Sequence, residues 1–144
     1  MSLKVEIITP EAIAYASGDS PIEEVVLPGL NGELGILEGH LPLMTTLRSG
    51  RVVIRHKDGK ATRFAIHGGF AQIMPAEVNI LTDEAESADA IDPDRARAAL
   101  EAAEKKLQEE MGRDHVEDDA AKLHRAALDR ARARLFVAEE DKNS

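Results

Sequence analysis

The chain has no cysteine among its 144 residues, and this excludes disulfide bonds, thiolate catalysis and sulfur-ligated metal sites. Aromatic residues make up only 3% of the sequence, so a hydrophobic core has to be built from aliphatic side chains. There is no apolar run long enough for a transmembrane helix and no N-terminal pattern of a secretory signal. We therefore expect no direct membrane insertion, and a cytoplasmic protein or one held at a membrane only by a partner.

Positive charge is also scarce, because 18 Lys and Arg face 27 Asp and Glu and the formal net charge is −9. A surface of this sign repels polyanions, which argues against a nucleic-acid partner. The five histidines form no metal-binding pair, and no acidic cluster has the spacing of metal ligands, so we expect no metal site. The sequence therefore favours neither nucleic-acid binding nor metal chemistry.

A glycine pair at positions 68 and 69 gives the only hint of catalysis. His67, the pair and Phe70 are loosely similar to the oxyanion loop of esterases, but no Gly-x-Ser-x-Gly nucleophile motif accompanies them. A bulge or a sharp bend between two strands is the favoured interpretation, because glycine adopts backbone angles that other residues avoid. We therefore predict that the protein is not an enzyme.

Up to about Thr82 the sequence predicts short strands. The segment "LKVEIITP" alternates apolar and charged residues, which is the pattern of a half-buried strand. Asp58 and Gly59 predict a two-residue hairpin turn, because both residue types can supply positive φ angles. Further apolar segments recur at intervals of about ten residues, which favours an antiparallel sandwich or barrel: "IEEVVLP", "RVVIRH", "TRFAIH", "FAQIM" and "EVNIL".

From Ile91 onward the composition is that of helices. Asp92 is predicted as the N-cap of a first helix, with Pro93 at its first position. A second helix is predicted from about residue 116 or 119, after a polar connection that contains Gly112. Two amphipathic helices with a short connection predict an antiparallel hairpin. The apolar positions with helical spacing are Ala96, Ala99, Leu100, Ala103, Leu107 and Met111 in the first helix and Ala120, Leu123, Ala127, Leu128, Ala131 and Leu135 in the second.

We therefore predict two domains, a β domain over 1–86 and a helical hairpin over 87–144. The apolar seam of the hairpin consists mostly of alanine. Burying a leucine contributes about 1.5 to 3 kcal/mol, whereas ordering one residue costs about 1 to 2 kcal/mol, so little stabilisation remains. We expect the closed hairpin to depend on docking, a ligand or a partner; an ordinary stable appendage is the alternative.

Basic side chains line the predicted hairpin. Arg130 and Arg134 share one face of the second helix because they are four residues apart, and Arg95 occupies the corresponding margin of the first. Three guanidiniums beside a helix N-terminus would suit a phosphate group. The alternative is that these arginines pair with nearby carboxylates, for which the candidates are Asp92, Asp94 and Asp129.

Two segments together identify a family. "GELGILEGHLPLMTTLRSG" resembles the signature of the epsilon subunit of F-type ATP synthases, and "IDPDRARAAL" resembles a second motif of that family. The likeness extends over nearly the whole chain and includes "HGGFAQI" and "ALDRARARL". Departures are Glu38 and Leu41, where the family usually has proline and alanine. The resemblance implies a ten-stranded antiparallel β-sandwich followed by a two-helix C-terminal domain.

The resemblance also implies a function. Such subunits are non-catalytic parts of the central stalk, bind the gamma subunit and the c ring, and couple ion flow to ATP synthesis at the cytoplasmic face of the inner membrane. By position, Glu33 corresponds to a residue near the c ring and His40 to one that faces gamma. In an extended state the helices reach the alpha and beta subunits and block ATP hydrolysis, which implies inhibitory contacts from Arg125, Arg130, Arg132 and Arg134.

No cofactor is required by this resemblance, but ATP is implied as a possible regulatory ligand. Its motif positions in this sequence are Ile91, Asp92, Arg95, Ala96, Arg130 and Arg134. Ala102 departs from the family, because ATP-binding relatives often have a basic residue there. The alternative function is a stand-alone β-sandwich protein that senses nucleotide or binds another ligand.

Overall fold

The computed structural model describes residues 3–111 and 118–142, and the predicted connection between the helices lies outside them. Eight strands precede two helices in these residues, with one short 3-10 helix, Ala88–Ala90, between the two parts. The strands are β1 (Lys4–Ile8), β2 (Ile13–Ala16), β3 (Ile22–Gly29), β4 (Gly32–Ile36), β5 (Leu43–His56), β6 (Ala61–Met74), β7 (Glu77–Leu81) and β8 (Ala85–Ser87). The helices are α1 (Pro93–Met111) and α2 (Asp118–Lys142).

The strands form a β-sandwich, but its details differ from the prediction. The described residues contain eight strands and not ten. The strand order is β2-β1-β7-β6-β5-β3-β4, with β8 also paired to β6. The pairing is antiparallel except between β1 and β7, which run parallel. The prediction of a purely antiparallel sandwich was therefore wrong, because β7 pairs with β1 and runs in the same direction.

The glycine pair explains part of the difference in strand count. Two strands were predicted around Gly68 and Gly69, yet β6 passes through both as one strand of 14 residues. Their φ angles are 87° and 122°, so the strand bends where other residues would be strained. The pairing with β5 keeps its register across the bend. The part of β6 that precedes the two glycines also pairs with β8, and the part that follows them pairs with β7.

The predicted hairpin between β5 and β6 is present, but its turn is longer than expected. The loop covers residues 57–60, and only Gly59 in it has a positive φ. The Asp58 carboxylate instead accepts a hydrogen bond from the Lys60 backbone N–H at 2.9 Å. An aspartate that closes the loop with its side chain does not need a left-handed backbone. The prediction of a two-residue turn was therefore wrong.

Aliphatic side chains fill the sandwich, as the scarcity of aromatic residues predicts. Tyr15 and Phe64 make an edge-to-face contact at 5.7 Å between ring centroids. The buried core residues are Leu3, Val5, Ile7, Ile22, Val25, Leu27, Ile36, Leu47, Val52, Ile54, Phe64, Ile66, Ala71, Ile73, Val78 and Ile80.

The helices pack against each other, and α2 also lies on β5 and β6. The predicted start of α1 is confirmed, because the Asp92 carboxylate accepts a hydrogen bond from the Asp94 backbone N–H at 2.9 Å. A second core joins the hairpin to the sandwich, and we call it the docking seam. It consists of Ala65, Ala88, Ile91, Ala96, Val137 and Ala138.

The predicted apolar faces of the helices were wrong in part. Leu123 is 71% exposed, and Ala99 and Ala127 are exposed as well. The buried side of α2 lies toward its C-terminal half because this helix packs on the sandwich as well as on α1. Its buried residues are Leu128, Ala131, Ala133, Val137 and Ala138. The side chains of Met111 and Ala120, two further predicted positions, lie outside the described residues.

Candidate functional site

One ionic cluster joins the sandwich to the end of α2, and we call it the Arg51 cluster. It comprises Glu33, Arg51, Arg63, Glu140 and Asp141. The Arg51 guanidinium donates to both carboxylate oxygens of Glu33, at 2.7 and 3.2 Å. Its remaining terminal nitrogen, Nη1, donates to Glu140 of α2. One side chain of the sandwich therefore binds one carboxylate of each domain.

Arg63 completes this cluster from the neighbouring strand. It is only 8% exposed and donates to Glu140 and Asp141 at 3.3 Å each. The Arg51 guanidinium also lies over the Phe136 ring, 5.1 Å from its centroid, in a cation–π contact. The hydrogen bonds from Arg51 hold the pKa of Glu33 below its ordinary value, and Glu33 in turn raises the pKa of Arg51. Both groups are therefore charged at neutral pH.

A second cluster lies around Glu86 of β8, and we call it the Glu86 cluster. It comprises His67, Glu84, Glu86, Arg130 and Arg134. Arg134 donates to one oxygen of Glu86 at 3.0 Å, and the His67 ring nitrogen Nε2 lies 3.1 Å from the other. Arg130 pairs with Glu84. Two arginines of α2, Arg130 and Arg134, are thus bound by carboxylates at the end of the sandwich.

The Glu86 cluster borders an open groove of about 610 Å³ between the two helices. Arg130, Arg134 and Lys106 supply its positive charges, and Glu84 and Glu86 supply its negative ones. Small side chains of both helices line the rest, namely Ala99, Ala102, Ala103, Ala127 and Ala131. The groove has a size typical of ligand sites and presents three cations that a phosphate could contact.

The residues predicted to bind nucleotide lie in three different surroundings. Arg130 and Arg134 line the groove together, whereas Arg95 is exposed and is not part of its lining. Ile91 and Ala96 are buried in the docking seam, and Asp92 caps α1. The structure therefore brings two of the three predicted guanidiniums together. The carboxylates that pair with them are Glu84 and Glu86, which were not among the aspartates considered from the sequence.

The residues predicted to meet the rotor lie on the sandwich. Glu33 is in β4, and His40 lies in the connection from β4 to β5, where its Nδ1 donates to the Leu41 carbonyl at 2.6 Å. Several large apolar side chains near His40 in the sequence are exposed, and Met44 is 70% exposed. We call these exposed residues, Leu37, Leu41, Leu43 and Met44, the apolar edge.

The remaining predicted contacts are arginines on α2. Arg125 and Arg132 are exposed and form no ion pair with any residue in the described part of the chain. Arg132 lines a second groove of about 680 Å³, together with Phe136 and Arg51. Arg130 and Arg134 are paired as described above. The four arginines therefore differ, because two are bound to the sandwich and two face solvent.

Two further properties concern metals and membranes. Among the side chains that the structure describes, those of residues 3–109 and 122–142, no three histidine or acidic groups are arranged to hold a metal ion. Neither helix combines the length and the apolar character that crossing a membrane requires, as far as its residues are described.

The sequence did not point to Arg51, Arg63, Glu86 or Glu140. The acidic run at the end of α2, Glu139 to Asp141, was the available signal, because a carboxylate-rich helix end needs cations nearby. The arginines of β5 and β6 that meet it are far away in sequence, since Arg63 and Asp141 are 78 positions apart. Such long-range ion pairs can be identified only once the fold is known.

Comparison with known proteins agrees with this architecture. The family described as the beta-sandwich domain of the ATP synthase delta/epsilon chain matches residues 2–88, and the long alpha-helix domain of the same chain matches residues 89–139. The ATP synthase epsilon chain of Trichodesmium erythraeum is 41% identical over 138 residues, 96% of each chain. That of Syntrophobacter fumaroxidans is 42% identical over 139 residues, again 96% of each chain.

Solved structures share the fold at lower identity. A chain of the Euglena gracilis mitochondrial ATP synthase superimposes with a TM-score of 0.78 and 23% identity, covering 96% of this chain and 81% of that one. A chain of the Tetrahymena thermophila mitochondrial ATP synthase superimposes with a TM-score of 0.62 and 16% identity, covering 96% of this chain and 97% of that one. The β-sandwich, the helical pair and the full-length relatives establish that this chain belongs to the ATP synthase delta/epsilon chain family, with the role of a non-catalytic rotor subunit.

Proposed function

We propose that the sandwich is a permanent clamp on the rotor, binding the gamma subunit and the c ring, and that the hairpin is a two-state inhibitor of ATP hydrolysis. The observation that carries this proposal is the docking seam, which joins the hairpin to the sandwich mainly through alanines. Membership of the complex would place the protein at the cytoplasmic face of the inner membrane without inserting it.

The apolar edge supports the clamp. Leu37, Leu41, Leu43 and Met44 are exposed although the hairpin folds back onto the same domain. Exposed apolar side chains that recur within one short segment favour a site of protein contact, since exposing them to water is unfavourable. Glu33 and His40 add one charged and one polar group to the same segment. We assign Glu33 to the c ring and His40 to gamma.

The inhibitory state requires that the hairpin leave the sandwich. Leaving it costs the burial of the docking seam and of Leu135, which packs against it, together with the ion pairs of the Glu86 and Arg51 clusters. Apart from those of Arg63, which is 8% exposed, these pairs are partly exposed and of modest net value. Release would free Arg130 and Arg134 from Glu84 and Glu86. Together with Arg125 and Arg132 they would form a cationic face for acidic surfaces of the alpha and beta subunits.

ATP would oppose release if it bound only the closed form. The groove between the helices offers Arg130, Arg134 and Lys106 to its phosphates, and Arg95, Asp92, Ile91 and Ala96 are the remaining motif residues. At 100 times its dissociation constant, ATP would stabilise the closed form by about 2.7 kcal/mol. Calorimetry tests this: Arg134→Gln should abolish ATP binding, and Arg125→Gln should retain it. Equal binding of ATP by both variants would contradict the proposed nucleotide site.

The experiment that tests the function removes everything after Glu86 and reconstitutes the complex. The truncated protein should still co-purify with gamma, while ATP hydrolysis by the complex should rise because the inhibitory helices are gone. Unchanged hydrolysis would contradict the inhibitory role alone. Failure of the full-length protein to co-purify with gamma would contradict the clamp and favour a stand-alone nucleotide sensor.

A further inference from the structure

We propose that Arg51 couples rotor docking to hairpin closure, so that a cation placed on Glu33 strengthens the hold of the sandwich on α2. This inference rests on the proposed function in one respect, the contact of Glu33 with the rotor. The coupling itself is a property of the isolated chain. It follows from the contacts and charges of the Arg51 cluster.

The first step is the division of one guanidinium between two carboxylates. Nε and Nη2 of Arg51 bind Glu33, and Nη1 binds Glu140. Glu33 belongs to the sandwich and stays beside Arg51 in both states of the hairpin, whereas Glu140 leaves when α2 does. Glu33 therefore competes permanently with the carboxylates of α2 for the same positive charge.

The second step is the sign of the effect. On the sandwich side, two arginines and Glu33 carry a formal charge of +1, and Glu140 and Asp141 carry −2 on the α2 side. Neutralising Glu33 raises the sandwich side to +2, since it removes the negative charge that repels the carboxylates of α2. Arg48, which lies near Glu33 and acts on it, adds positive charge to the sandwich side in both cases. The other α2 charges that line the groove beside Glu33 are Asp129, Arg132 and Glu139, which sum to −1, so the net effect of neutralising Glu33 favours the closed hairpin.

The third step is that solvent screens these charges only in part. The Arg63 side chain is 8% exposed, those of Arg51 and Glu140 are 22% and 24% exposed, and that of Glu33 is 45% exposed. Charges at this depth interact more strongly than surface pairs at the same distance. A change at Glu33 is therefore transmitted to Glu140 across a single side chain.

The consequence is a reciprocal coupling. If a rotor cation that approaches Glu33 favours the closed hairpin, then the closed hairpin favours that cation to the same extent. A docked subunit would thus keep its hairpin closed more firmly than a free one, and loss of the rotor contact would favour release. Hairpin release would in this way respond to the state of the rotor as well as to nucleotide.

The test uses the absence of cysteine from the chain. A single Ala138→Cys substitution places a thiol in the docking seam, where Ala138 is buried, so its reaction with a maleimide reports hairpin opening in the full-length protein. Ala133→Cys is a second reporter in case the first weakens docking. Leu123→Cys, at an exposed position, gives the rate for a thiol that needs no opening.

In either reporter, Glu33→Gln should slow labelling about two- to fivefold, the range expected for one partly exposed charge, and Glu140→Gln should accelerate it. Glu38→Gln is the matched control, an exposed glutamate of the same segment without an ion pair in the described residues, and should leave the rate unchanged. In an Arg51→Gln background, with labelling still slower than that of the Leu123 reporter, Glu33→Gln should have a smaller effect, because only the direct repulsion between Glu33 and Glu140 remains. An undiminished effect would overturn the role of Arg51. Unchanged or faster labelling of Glu33→Gln would overturn the coupling.

The assembled complex provides the second arm. There the wild type should label more slowly than it does as an isolated chain, because the rotor cation beside Glu33 favours the closed hairpin. Equal wild-type rates in the two settings would overturn the rotor part of the inference. Loss of co-purification with gamma would instead contradict the proposed clamp, and the labelling of the isolated chain would stand by itself.

Discussion

Val137→Ala should open the hairpin without unfolding the sandwich. Val137 is fully buried in the docking seam, whose other members are four alanines and Ile91. The substitution removes two methyl groups, worth about 1.6 kcal/mol at about 0.8 kcal/mol each. A small cavity adds to this, giving about 2 kcal/mol. The closed form should therefore lose roughly a factor of 30 relative to the open one.

Hydrogen exchange measured by mass spectrometry separates the two domains. Amides in the C-terminal half of α2 should exchange faster in Val137→Ala by about this factor, while those of β1 and β7 should keep their protection. Leu123→Ala is the control, because an exposed side chain of the same helix should cost less than about 0.5 kcal/mol. Equal loss of protection in β1, β7 and α2 would refute the reasoning, since the chain would then unfold as one unit.

Three further predictions concern the sandwich and the ionic clusters. Gly69→Ala should destabilise the sandwich by about 3 kcal/mol or more in denaturant unfolding, because its Cβ would lie 2.0 Å from the Leu81 carbonyl oxygen; Gly18→Ala, with open space around it, should cost only about 1 kcal/mol. Because Arg51 lowers the pKa of Glu33, their pair should stabilise the fold fully above pH 4.5 and progressively less as pH falls through the lowered pKa; thermal melts of Glu33→Gln should lack this part of the acid dependence. Raising salt from about 0.1 M to about 1 M shortens the Debye length from about 10 Å to about 3 Å, so exchange of α2 amides should accelerate, and salt-independent exchange would contradict a role for the ion pairs.

Local interactions explain what could be predicted from the sequence. Asp92 caps α1 because its carboxylate reaches a backbone N–H two residues on, and such a contact depends on nothing distant. The β5–β6 hairpin was predicted for the same reason. The unbroken course of β6 through Gly68 and Gly69 was not, because a glycine pair is equally consistent with a strand end and with a bend inside a strand.

Nonlocal contacts explain what could not be predicted. A period of 3.6 residues identifies the apolar positions of a helix, but α2 contacts both α1 and the sandwich, and the period does not say which neighbour covers which position. Leu123 was thus predicted to be buried and is exposed, while Val137 was not predicted to be buried and is fully buried. The partners of the arginines were missed likewise, because Glu86 and Arg134 are separated by 48 residues.

Under the proposed function, the two ionic clusters would give the hairpin two separate controls. They share no residue: the Glu86 cluster holds α2 through Arg130 and Arg134, and the Arg51 cluster holds it through Glu140 and Asp141. Ligands that act on groups without shared partners change the free energy of one transition additively. Nucleotide in the groove and a rotor cation at Glu33 would each contribute a modest increment. Because the docking seam is built largely of alanine, we expect increments of this size to be sufficient to shift the state of the hairpin.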